Sequence, residues 1–252
     1  MQALLICISM FSKIPIKNIQ WGEDKGSSAA AWLPAVGAIC GTATFAAAKL
    51  SRFLIGAANG ISAFIMLLSV FAVCGFLHFD GLMDSADCLL SSRDREGKLR
   101  ILKDSATGAF ASICATLAIL AYYSSFLEWV SLPPKLDILL VLIPMLSRAW
   151  AITLMFTIDP LETSTIMRYF TSGKKPVHLA CVLIAASCTA VGILLLAGVW
   201  AFAAALASLF ASYMLASHAK RELGGINGDI IGASIILSEI LCYLAMPICQ
   251  IS

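Results

Sequence analysis

Val177-His-Leu-Ala-Cys-Val-Leu-Ile-Ala-Ala-Ser-Cys-Thr-Ala-Val-Gly-Ile-Leu-Leu-Leu-Ala197 carries no acid, lysine or arginine. A helix needs about 20 apolar residues to cross the hydrocarbon core of a bilayer, and this run has that length. Beyond Gly198 the apolar character resumes over 199–217, so two crossings joined by a short turn are expected. Working outward, comparable segments lie near 30–48, 54–76, 106–128, 136–158 and 226–248, which makes seven. Gly37/Gly41 and Gly56/Gly60 give small-xxx-small spacing, which permits close helix approach or is chance in an Ala/Gly-rich chain.

Composition points the same way. Of 252 residues, 60% are apolar and 13% charged, with a mean hydropathy of +0.91. Water could not solvate that surface, so an all-α, polytopic membrane bundle is expected, with residues 1–252 as one membrane-embedded domain. The nine cysteines are scattered without CxxC or Cys/His spacing, and are expected to be reduced residues, not a disulfide framework or zinc site. Met1–Phe11 is apolar but short, without a basic leader or small-residue cleavage site, and reads as a retained interfacial or re-entrant segment.

Seven spans alternate the loops. One side collects Lys13, Lys17, Lys25, Arg93, Arg95, Lys98, Arg100, Lys103, Arg168, Lys174, Lys175, Lys220 and Arg221; the other holds Lys49, Arg52 and Lys135. Thirteen cations against three orient the chain with its amino terminus in the cytoplasm of the cell membrane. Lys49 and Arg52, crowded into one outside turn, strain that assignment.

On the basic side lies Phe76-Leu-His-Phe-Asp-Gly-Leu-Met-Asp-Ser-Ala-Asp87. Asp80, Asp84 and Asp87 are spaced i, i+4, i+7, which on a helix places three carboxylates on one face. Their mutual repulsion calls for a cation, and a hard divalent ion with oxygen ligands fits. Phosphoryl transfer uses such a set: carboxylates hold Mg²⁺, and one serves as base for an incoming hydroxyl. Gly81 would let substrate or a neighbouring helix come close, and His78 either touches phosphate or is an interfacial histidine. Lys103-Asp104-Ser105, before the third span, is placed to meet phosphate, whereas Arg93, Arg95, Lys98 and Arg100 read mostly as a solvated helix face. Leu223-Gly-Gly-Ile-Asn-Gly-Asp229 puts three glycines before an acid at a helix start, a pattern suited to an anion or a metal. Deeper in that span, Glu239 needs a partner or a proton; Arg148 is the cation available to it, and a structural pair or a catalytic role are both open.

These blocks, together with Phe11-Ser-Lys-Ile-Pro15 and Leu33-Pro-Ala-Val-Gly37, resemble the cobalamin synthase (adenosylcobinamide-GDP ribazoletransferase) family over nearly the whole chain. The resemblance implies a Mg²⁺-dependent membrane enzyme that joins adenosylcobinamide-GDP to α-ribazole, or its 5′-phosphate, and releases GMP. It implies Asp80, Asp84, Asp87 and Asp229 as metal ligands, with Asp84, Asp87 or Asp104 as catalytic carboxylate. His78, Gly81, Lys103, Arg148 and Gly225 are the substrate-binding candidates. Its partners would be those two substrates and membrane lipid; no nucleic acid is expected, and a homo-oligomer is open. Three departures stand out: Cys88 where glycine is usual, Asn227 where threonine is usual, and a divergent loop over Phe156–Tyr169.

Two rival readings predict other outcomes. A CDP-alcohol phosphotransferase shares the spaced aspartates, but its Asp-Gly-x-x-Ala-Arg run is missing, since Asp80-Gly81 is followed by Leu82-Met83-Asp84-Ser85. A cation transporter would string Asp80, Asp84, Asp87, Asp229 and Glu239 into a polar route, yet transporter sites lie near the midplane and not at a face.

Overall fold

The computed structural model describes residues 2–17, 19, 21–22, 25–56, 60–104 and 106–251, with the side chain of Ile251 left aside. Ser105 of the expected phosphate-meeting tripeptide lies outside the described residues. The described elements are helices α1 (Gln2–Phe11), α2 (Gly26–Ala30), α3 (Leu33–Ile55), α4 (Gly60–Cys74), α5 (Leu77–Leu90), α6 (Arg95–Ile101), α7 (Ala109–Trp129), α8 (Leu139–Thr157), α9 (Thr165–Thr171), α10 (Pro176–Leu223) and α11 (Gly228–Ile251), with a 3-10 turn at Pro134–Ile138. Among them no β-strand forms; one isolated parallel bridge joins Pro160 to Ile226.

Among the described residues, five helical stretches are long and apolar enough to cross a membrane: Gly26–Ile55, Ala109–Trp129, Pro134–Thr157, Pro176–Leu223 and Gly228–Gln250. The pair α4 and α5 passes the same test together, but is bent by 92° at its break. At 48 residues α10 would be about 72 Å long, more than twice the hydrocarbon thickness. It is broken at Gly198, whose φ of 86° and ψ of −179° lie outside helical space and in a region that glycine tolerates. Its halves double back: Val182 shares one core cluster with Ala216 and Ala219, while Ile193 shares another with Ala201 and Ala205. Counted this way, the bundle has the seven segments expected from sequence.

Helix α8 is the axis of the bundle. Its buried residues reach both clusters, from Leu139 and Leu140 at one end to Met155 and Phe156 at the other. Gly37 and Gly41 let α3 approach it: a Cβ on Gly37 would run into the backbone of Pro144, and one on Gly41 into Leu140. The Gly56/Gly60 pair forms no such seam, because Gly56 ends α3 and a Cβ there would meet nothing.

Two sequence expectations are corrected. Cys40 and Cys74 are joined as a disulfide between α3 and α4, so the cysteines are not all reduced; the other seven are free. Helix α3 continues past the expected residue 48, through Lys49 and Arg52, to Ile55. The reason is Asp137, wholly buried in the 3-10 turn, which ion-pairs with Arg52 and, at 3.0 Å, with Lys49. Trp129 Nε1 donates to the same carboxylate over 3.3 Å. A buried acid thus meets both cations that strained the charge assignment. The opening helix α1 is ten residues, about 15 Å, too short to cross; it packs Ile6 and Cys7 into the core.

Candidate active site

Asp80, Asp84 and Asp87 lie on α5, as the spacing predicts. Asp80 is exposed, and the other two are half-buried. The helix crosses α11 so tightly that a Cβ on Gly81 would sit 2.8 Å from the carbonyl oxygen of Asp229. Of the two readings of Gly81, the neighbouring helix is the one found. One turn away, Gly232 faces the backbone of His78, at 3.3 Å from a Cβ to the His78 Cα. This crossing brings Asp229 to the acidic face, where Asp84 is acted on by the charges of Asp229, Asp80 and Asp87.

Asp87 has a second function in the fold. Its Oδ2 accepts the Gly108 N–H at 2.6 Å and its Oδ1 the Ala111 N–H at 2.9 Å. It therefore caps α7 from another helix, satisfying amide groups that the first turn leaves open and opposing the positive end of the dipole. Asn227 caps α11 in the usual local way, its Oδ1 accepting the Ile230 N–H at 3.1 Å. Its amide also donates to Asp229 Oδ2 at 2.5 Å, which orients that carboxylate. The asparagine in place of threonine supplies this second bond.

Among the described residues, no three His, Cys, Asp or Glu side chains already form a metal-ligand set. The donor chemistry nonetheless suits a hard cation: several carboxylates sharing one face, mutually repelling, with oxygen donors only.

The remaining candidates divide. Lys103 is exposed and lines a cleft of about 250 Å³ with Leu161, Thr163–Ile166 and Asn227–Asp229. Asp104 is exposed on the same turn, its Oδ1 accepting the Ala106 N–H at 3.0 Å. His78 is buried beside Phe11, with ring centroids 6.4 Å apart and, among the described residues, no partner for Nε2. Gly225 packs against Pro160, where a Cβ would fall 2.8 Å from the carbonyl carbon. The expected substrate contact at Gly225 is therefore a loop contact: Leu161 N–H donates to Ile226 O at 2.8 Å, and Ile226 N–H to Asp159 O at 3.0 Å. Nearby, the Lys220 ammonium hydrogen-bonded to Asp159 holds that carboxyl below its ordinary range.

Arg148 requires correction as a substrate-binding residue. Only 2% exposed, it is ion-paired with Glu239, which also accepts from Ser147 and Tyr122 at 2.8 Å each. Its guanidinium is already engaged by Glu239, Ser147 Oγ and the Pro144 carbonyl. Lys98 likewise is no solvated cation: it is buried, with Nζ 2.6 Å from Glu222, while Arg95 Nε donates to Leu223 O at the end of α10. Glu96 and Arg100 form the expected exposed i, i+4 pair at 3.7 Å.

Sequence reasoning missed Asp137, Tyr122 and Ser147, and the threonines of the 161–166 loop. A lone acid at the start of the 136–158 span was the available signal for Asp137; for the loop it was the departure from the family pattern over Phe156–Tyr169.

Residues 3–247 match the family model described as cobalamin-5-phosphate synthase. A protein named adenosylcobinamide-GDP ribazoletransferase from Clostridium botulinum is 34% identical over 252 residues, covering 95% of this chain and 94% of the relative. Proteins of the same name from Clostridium perfringens, 32% identical, and Brevibacillus brevis, 30% identical, each align over 98% of both chains. No solved structure matches.

Proposed function

The chain belongs to the cobalamin-5-phosphate synthase family, and from that premise we propose that it transfers the cobinamide-phosphoryl group of adenosylcobinamide-GDP to α-ribazole or its 5′-phosphate. The observation that carries this reading is the convergence of Asp80, Asp84, Asp87 and Asp229 at the α5–α11 crossing, beside a cleft that bears Lys103. Asp80, Asp84 and Asp229 would hold Mg²⁺, which when bound supplies positive charge against the phosphate oxygens. Asp87 fixes α7 against the acidic helix, and Asn227 orients Asp229.

In the reaction the acceptor hydroxyl oxygen forms a bond to the phosphorus next to cobinamide, and the anhydride bond to GMP breaks. The hydroxyl proton passes to a carboxylate, with Asp84 at the centre of the group as the candidate. GMP leaves with the bonding pair. Positioning and charge carry such a transfer, with little covalent work for the protein.

The site faces the cytoplasm of the cell membrane. The thirteen cations collected on that side support this orientation, and the pairing of Lys49 and Arg52 with Asp137 removes the strongest objection to it.

The test is GMP release by detergent-purified protein given adenosylcobinamide-GDP with either acceptor, in Mg²⁺ or in EDTA. Metal-dependent release with a corrinoid nucleotide product is expected. Folded protein that releases no GMP with either acceptor overturns the reading, and a CDP-alcohol donor is then the next substrate.

A further inference from the structure

The cleft between the turn after α6 and the loop before α9 lies next to the acidic cluster and shares Asp229 with it. Its polar lining comes from Lys103, Thr163, Ser164, Thr165, Asn227 and Asp229. Three of these side chains are already engaged. Ser164 caps α9 by accepting the Met167 N–H at 3.4 Å, and Asn227 and Asp229 bond to each other. Lys103, Thr163 and Thr165 are exposed, and their side chains make no hydrogen bond or ion pair among the described residues. One ammonium and two hydroxyls are thus left to serve an occupant.

Such a donor set matches the oxygens of a phosphate, to which charge-assisted bonds are the strongest. Asp229 at the edge of the cleft repels a bare anion, so the occupant directs its charge toward Lys103 and the threonines and presents neutral groups elsewhere. Leu99, Leu102 and Leu161 supply apolar wall. At about 250 Å³ the cleft falls below the usual range for a drug-sized ligand, roughly 300–1,000 Å³. It suits the phosphate-bearing end of a nucleotide and is too small for a corrinoid ring. Resting on the transferase reading above, we infer that this cleft is a ribonucleoside 5′-phosphate subsite in which Lys103, Thr163 and Thr165 bind the phosphate. Two groups in the reaction carry that chemistry: the guanosine phosphate of the donor and the 5′-phosphate of a phosphorylated acceptor. The loop that departs from the family pattern therefore sets nucleotide affinity.

The test compares wild type with Thr163→Val/Thr165→Val and with Lys103→Gln, measuring KM for adenosylcobinamide-GDP, α-ribazole and α-ribazole 5′-phosphate. Each lost charge-assisted bond should raise KM about tenfold for the substrate that uses the subsite. A rise confined to the phosphorylated acceptor assigns the cleft to the acceptor. A rise for the donor, with weaker inhibition by GMP and unchanged acceptor values, assigns it to the guanosine phosphate. Unchanged KM throughout, or an equal fall in kcat with every substrate, overturns the subsite. Calorimetric binding of GMP and of α-ribazole 5′-phosphate reads the same residues without turnover. If wild type turns over neither acceptor, the transferase reading fails, yet weaker binding of either nucleotide by the variants still supports the subsite. Binding that is absent in wild type, or equal in the variants, overturns it.

Discussion

Gly81 lies against Asp229 so closely that a Cβ on the glycine would be 2.9 Å from the Asp229 Cα. The obstacle is backbone, which cannot swing aside as a side chain can. Gly81→Ala should therefore part α5 from α11, at a cost of about 1–3 kcal/mol typical of overpacking. It should also lower turnover, because Asp229 is carried away from Asp80 and Asp84. Thermal unfolding in detergent checks the first effect and GMP release the second. Gly228→Ala, where a Cβ meets nothing within 4 Å, should leave the unfolding temperature unchanged.

Asp84 and Asp87 should separate in their effects. Asp84 is surrounded by like charges, so Asp84→Asn relieves repulsion and should hold or raise the stability of the metal-free protein while abolishing GMP release. Mg²⁺ should stabilise wild type by mass action, and this variant much less. A melting curve with and without Mg²⁺ decides it; an equal upward shift in both proteins would remove Asp84 from the metal site.

Asp87→Asn should destabilise the protein even in EDTA. An amide offers one acceptor oxygen where the carboxylate gives two to Gly108 and Ala111. The lost charged bond should cost about 1.5–3 kcal/mol. Unfolding in EDTA no different from wild type would mean that this cap contributes nothing.

Glu239→Gln should be more damaging than its distance from the aspartates suggests. It leaves the buried Arg148 charge without a counter-charge, a loss of about 3–5 kcal/mol. The double variant Arg148→Met/Glu239→Leu should recover much of it, since apolar replacement of a buried pair is often neutral. Failure of the double variant to recover would point to a role for the pair beyond neutralising itself.

Much of this architecture can be read from residues. The i, i+4, i+7 spacing of Asp80, Asp84 and Asp87 is a local property, and it survives into α5 unchanged. The break at Gly198 was equally legible, because length alone forbids one crossing. Legibility fails where a partner is remote. Nothing near Asp137 announces Arg52, and nothing in the glycines before Asp229 says that Gly225 serves Pro160 and not a ligand. The 92° bend before the acidic helix is hidden as well, since apolar composition runs on through Gly75-Phe76. The second task of Asp87 was invisible for the same reason: its amide partners come from α7, in three dimensions and not in spacing.

The Arg52–Asp137 pair also imposes an order on assembly. Arg52 is synthesised 85 residues before its acid. At cellular elongation rates that interval is on the order of 10 s. Until then Lys49 and Arg52, near the end of α3, lack the acid that later meets both. Only when the Pro134–Ile138 turn is made is that end closed. The charged end of α3 is thus a provisional structure that a later turn ratifies.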